Sequence, residues 1–153
     1  MMLNVSSLAL FRGSVVVFLA LSLVLTAFAI AEQVPYRLGG SGAREDVAAD
    51  AFAKGTGISP PLVFLIIFAV LLALTWLPAR WKALPLFLAS ILGAIGLAAG
   101  IAEISLGSGP FAYPIGPLAV ALWFVNVAAV ATTVITGVLA GLSALREPRA
   151  GAA

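Results

Sequence analysis

From Ile115 to Leu145 the chain carries no charged side chain. This run constrains the fold more than any other feature of the sequence. A helix crosses the roughly 30 Å hydrocarbon core of a bilayer with about 20 apolar residues, each rising about 1.5 Å. In water, so long an uncharged run would need covering on every side. Three more runs of the same character precede it. Together they predict spans over residues 13–31, 60–77, 84–103 and 117–143. The last run is longer than a bilayer requires, so it tilts or projects beyond the lipid. The predicted fold class is all-α: an integral membrane four-helix, up-down bundle with short connections. Residues 1–153 form one transmembrane domain, and a short helix lies in the first outer loop, 32–59.

Composition supports this. Hydrophobic residues make up 63% of the chain and charged residues 9%, against about 25% charged in a soluble domain. Cysteine and histidine are both absent. That excludes disulfides, thiol nucleophiles, zinc fingers, Cys-ligated iron–sulfur clusters and His-ligated haem or copper. It also removes the usual general base near neutral pH. The sequence contains no P-loop, dinucleotide fingerprint, G-x-S-x-G or zincin motif. No catalytic residue, cofactor site or metal site is therefore expected. A formal net charge of +2, with its basic residues scattered, does not suit a nucleic-acid partner.

Orientation follows from the Lys/Arg bias of the connections. Arg12, Arg80, Lys82, Arg146 and Arg149 fall on one side of a four-span chain, and Arg37, Arg44 and Lys54 on the other. This puts both termini and the 78–83 turn in the cytoplasm. Trp76 and Trp81 flank that turn, as interfacial aromatics do, and Tyr36, Phe111 and Tyr113 suit the opposite interface. An excess of Arg over Lys, with abundant Ala and Gly, points to a high-GC bacterial genome and so to a plasma (inner) membrane. The first run also carries an A-x-A pattern at Ala29 and Ala31, so signal-peptide cleavage after Ala31 is the alternative to a retained helix. The run exceeds the 7–15 residues of a typical signal core, which favours retention.

Within the outer loop, Gly39 to Gly42 reads as a turn and "REDVAADAFAKG" as a short helix. Val47, Ala48, Ala51 and Phe52 share a face, so the segment lies on the outer membrane surface or caps the bundle with Val47 and Phe52 facing down. Asp50 and Lys54 form an i,i+4 pair, and Gly55 suits the C-terminal cap. Glu45, Asp46 and Asp50 lack the ligand spacing of a cation loop. They read as a solvated face, and the loop as a surface for docking a partner.

Glu103 ends the third span. Starting from Leu84, it lies roughly 30 Å along the axis, at the outer interface where a carboxylate reaches water. Held deeper, it would be a functional acid for protons or a partner. Small residues mark the packing faces: Gly93, Gly96 and Gly100 on the third span, and Ala129, Thr133, Gly137 and Gly141 on the fourth. Two G-x-x-x-G pairs result, 96–100 and 137–141, and such pairs let helix backbones approach closely in lipid. The two spans are antiparallel, so the pairs lie at different depths and each meets something else. Asn126 lies level with Gly96, and the backbone exposed at Gly96 or Gly100 is its expected hydrogen-bond partner. Thr132, Thr133 and Thr136 can bond back to their own helix.

The chain therefore reads as a non-enzymatic membrane protein: an accessory subunit, assembly factor or scaffold binding other membrane helices. Its expected partners are the lipid bilayer and another membrane protein or a second copy of itself. The alternative is a homo-oligomeric channel or small-solute transporter with Glu103 at the outer mouth. A lipid-directed enzyme would have to rely on Glu32, Glu45, Asp46, Asp50 and Glu103.

Overall fold

The computed structural model describes residues 3–34, 47–105, 110–111 and 115–146. Among them the chain is helical: α1 (Leu3–Ala31), α2 (Val47–Ala53), α3 (Leu62–Leu74), α4 (Ala79–Ser105) and α5 (Gly116–Arg146). Gly39 to Gly42, Tyr36, Arg37, Arg44, Glu45, Asp46, Tyr113 and Arg149 lie outside the described residues.

Among the described residues, three helices are long and apolar enough to cross a membrane: Ser7–Ala31, Trp81–Ser105 and Gly116–Arg146. Their outward faces are Leu, Ile and Val, with Leu118 73% and Ile101 66% exposed. Such faces are matched by lipid and not by water. The predicted span 60–77 differs. Its helix, α3, has 13 residues, about 20 Å of rise, so it is shorter than the hydrocarbon core. Pro60 and Pro61 explain the late start. Pro60 precedes a proline and so is pushed out of the α region, and Pro61, at φ −56° and ψ 140°, is the non-helical residue before Leu62. Thr75 to Leu77 then close the helix in successive i→i−3 turns. The next helix starts earlier than the sequence suggests, at Ala79, and keeps Pro85 inside it.

Helices α1, α5, α4 and α3 form a ring in which, among the described residues, each backbone lies close to two neighbours and the diagonal pairs stay further apart. Side-chain pairs fix their directions. Ser22 meets Asn126 and Ser14 meets Thr133, so α1 and α5 are antiparallel. Arg12 of α1 reaches Thr75 at the end of α3, so these two are antiparallel as well. One end of the ring carries Arg12, Thr75 and Lys82, and the other Lys54 and Glu103.

Helix α1 belongs to the core. Phe11, Val15 and Phe18 are buried with Phe68, Leu86 and Val130 in one cluster. Leu25 and Ala29 join Ile58, Ile115 and Trp123 in a second. At its base, Arg12 donates from Nη2 to the Thr75 carbonyl at 2.8 Å and from Nε to the Thr75 hydroxyl at 3.1 Å. Its guanidinium also stacks 4.2 Å over the Trp76 ring. A cation at the C-terminus of α3 satisfies orphan carbonyls and complements the helix dipole.

Candidate functional site: an amphiphilic cavity at the Glu103 end

The two G-x-x-x-G pairs have different fates. Gly137 and Gly141 are both buried in the seam between α5 and α4. A Cβ on Gly137 would overlap the Ser90 hydroxyl and come within 3.1 Å of the Leu86 carbonyl oxygen. One on Gly141 would lie 2.9 Å from the Phe87 ring. Gly93 extends the same seam, with Val134 2.8 Å from where its Cβ would be. These glycines let two helices of one chain touch, and that contact takes up the face a partner helix would have used.

Gly96 and Gly100 sit in no such seam. A Cβ on Gly96 would meet only the Phe64 ring, at 3.7 Å, and one on Gly100 nothing within 4 Å. The late start of α3 is the cause. Where α4 continues to Ser105, α3 has given way to the turn 55–61, and a gap opens between them. The result is a cavity of 370 Å³. That lies within the roughly 300–1,000 Å³ of small-molecule sites.

The walls of the cavity grade in polarity. Phe18, Phe64, Leu97 and Val130 line the inner part, and Lys54, Thr56, Ser59 and Glu103 the end toward the loop. Trp123, which is 8% exposed, lines it too, and Glu103 is half-buried. Below Phe18 the ring is shut by aromatic packing. Phe18 meets Phe68 edge-on with ring centroids 5.1 Å apart, and Phe64 lies at the same distance from Phe68.

The turn that roofs this cavity is locally determined. Gly55 takes φ +87°, as a helix-ending residue does, and its N–H bonds the Asp50 carbonyl at 2.8 Å. A Cβ there would lie 2.8 Å from the Ser59 carbonyl oxygen, so glycine is required for both conformation and space. The Thr56 hydroxyl accepts from the N–H groups of Ile58 and Ser59. The Thr26 hydroxyl of α1 donates to the Ser59 hydroxyl at 3.0 Å, which ties the roof to the ring.

Asn126 lines the cavity, but its partner differs from the expected one. Its amide donates to the Ser22 hydroxyl at 3.1 Å, and Gly96 and Gly100 take no part. The physical reason is supply. Carbonyls inside α4 already accept from their own helix, whereas a serine hydroxyl both donates and accepts. Thr133, fully buried, donates to Ser14 and to the Ala129 carbonyl, the latter at 2.9 Å. Thr132 and Thr136 bond back to Ala128 and Thr132. At the loop end of the cavity, Lys54 pairs with Asp50 at 2.8 Å. Val47 and Ala51 of α2 are buried, but Phe52 is 53% exposed, so of the pair that would face down if the segment capped the bundle only Val47 is covered. Ser22, Thr26, Thr56 and Ser59 did not stand out in the sequence. The Ser22/Thr26 pair, one turn apart in an apolar helix, was the available signal for them.

Compared with protein-family models, curated proteins and solved structures, the chain matches none.

Proposed function

We propose that the chain is a non-enzymatic inner-membrane protein with a binding role, an accessory subunit, assembly factor or scaffold, and that its working compartment is the cavity beside Glu103. In this reading it is a bacterial protein with four membrane segments, α3 counting as the second with its flanking turns. Both termini and the Arg12 end face the cytoplasm, and Glu103 and α2 face outward. The positive end of the ring supports this orientation. The burial of Phe11, Phe18 and Leu25 supports retention of α1 over cleavage after Ala31.

The observation that carries the reading is the shape of the cavity: polar at the loop end, apolar inside, and stopped by Phe18 and Phe68. Such a space suits holding a ligand better than passing one. The internal use of Gly137 and Gly141 turns attention from helix seams to the 32–59 loop as the partner surface, with Phe52 exposed on α2. The test is native mass spectrometry of the endogenous protein released in mild detergent. A fixed complex with a different membrane protein is expected. A discrete homo-oligomer that conducts ions in planar bilayers would contradict the reading and favour the channel, with Glu103→Gln the next variant.

A further inference from the structure

The cavity beside Glu103 is closed at the back and open at the side. Its back wall belongs to α1 and α5, where Phe18, Trp123, Asn126 and Val130 are each 8% exposed or less. Its roof is the turn holding Thr56, Ile58 and Ser59, all buried. Its rim belongs to α4 and the start of α3. There Pro60, Pro61, Phe64, Gly96 and Gly100 are half-buried and Ile101 is exposed. The opening therefore lies between α3 and α4, on the flank of the ring and below its roof. A flank of a membrane helix bundle meets hydrocarbon. From Glu103 in to Gly96 the opening runs about 10 Å along α4, within the roughly 15 Å that the chains of one leaflet occupy.

The inner wall makes no demand for a polar occupant. Among the described residues no buried side-chain nitrogen or oxygen lacks a hydrogen-bond partner. Asn126, on the back wall, exchanges its hydrogen bonds with Ser22. Thr56 and Ser59 bond each other, and Ser59 is also bonded to Thr26. Lys54 and Glu103, of opposite sign, stand at the loop end and select no charge. Water needs about two to four polar partners, and an apolar cavity without them stays dry. What remains is a slot against Phe18, Phe64, Leu97 and Val130. It narrows at Gly96, where an added Cβ would stand 3.7 Å from the Phe64 ring. Hydrocarbon in such a slot makes the dispersion contacts that an empty one forfeits, and the bilayer supplies chains at the opening. We infer that the cavity takes one acyl chain of a bilayer phospholipid, inserted sideways between α3 and α4, with the headgroup left at the Glu103 end. This rests on the binding role proposed above and names the chemistry of what is bound.

Trp123 reports on the slot. It lies about 10 Å of helix rise inside Gly116, and the other tryptophans, Trp76 and Trp81, are at the Arg12 end. The full chain with Trp76→Phe and Trp81→Phe is placed in vesicles of phosphatidylcholine brominated midway along one chain, and in the same lipid without bromine. Bromine quenches a nearby indole. Trp123 emission should fall by at least about half in the brominated lipid, because a chain in the slot touches the ring. A leucine side chain at position 100 leans toward the helix N-terminus and so over Gly96, and Gly100→Leu should reduce the quenching at least about twofold at an unchanged unfolding temperature. Quenching that Gly100→Leu leaves intact would put the bromines outside the slot and overturn the inference. Should that variant not fold, native mass spectrometry of the otherwise unsubstituted protein decides: one phospholipid retained per chain supports the inference, and none retained overturns it. Equal emission in the two lipids would also overturn it. Strong quenching by aqueous acrylamide in that case would show a water-filled site and leave the binding role standing with a polar ligand.

Discussion

The pairs Gly137–Gly141 and Gly96–Gly100 share a motif and do opposite things. The first holds α5 against α4 so closely that a single Cβ at Gly137 would come within 3.1 Å of backbone. The second borders a 370 Å³ space. The difference lies in the neighbour and not in the glycines. At the Arg12 end, two long helices run side by side. At the Glu103 end, Pro60 and Pro61 delay α3, and α4 is left with an unfilled flank. A small-residue pair in an apolar helix therefore marks close approach only where another helix is long enough to arrive.

This contrast can be broken by substitution. The largest effect should come from Gly137→Leu, whose side chain has no space between Ser90, Phe11 and Leu86. It should prevent recovery of folded protein from membranes, as judged by size-exclusion profile. Gly137→Ala should fold but lose about 1–3 kcal/mol, the usual cost of overpacking, measured by unfolding in detergent. Next, Asn126→Ala removes the bond to Ser22 and should cost roughly 0.6–2 kcal/mol. Ser22→Ala should cost a similar amount, and the double variant should cost less than the sum because the two share one interaction. The smallest effect belongs to Gly100→Ala. With nothing within 4 Å of the added carbon, it should be neutral or stabilising by up to about 1 kcal/mol, the gain from replacing glycine in a helix. A Gly100→Ala loss as large as that of Gly137→Ala would erase the distinction.

Much of the architecture was legible in the sequence. Uncharged runs long enough for lipid located α1, α4 and α5; the depth argument put the two glycine pairs apart but expected each to meet a partner, and within the chain Gly100 meets nothing within 4 Å. The i,i+4 spacing of Asp50 and Lys54 and the position of Gly55 anticipated the pair and the cap. What was not legible depended on where neighbours end. Hydropathy gave 60–77 the weight of a full span, but the two prolines before the helix and the turns at Thr75–Leu77 after it left 13 helical residues. The cavity borders the start of that helix, at Pro60 and Pro61. Asn126 was recognised as a polar group needing a partner, but depth alone could not choose between α4 and α1. Choosing Ser22 required knowing which face of α5 meets α1. Phe52 shows the same limit: periodicity placed it on a face with Val47, and packing left it outside.

The most direct test of the contrast uses the absence of cysteine from the chain, which makes each introduced thiol unique. Gly100→Cys and Gly137→Cys would be placed separately in the full protein in sealed vesicles and treated with a small methanethiosulfonate. The thiol at 100 should react. The thiol at 137 should stay unmodified until the protein is unfolded. An unreactive thiol at 100, or equal reactivity at both positions, would contradict the claim that one glycine pair seals a seam and the other lines a cavity.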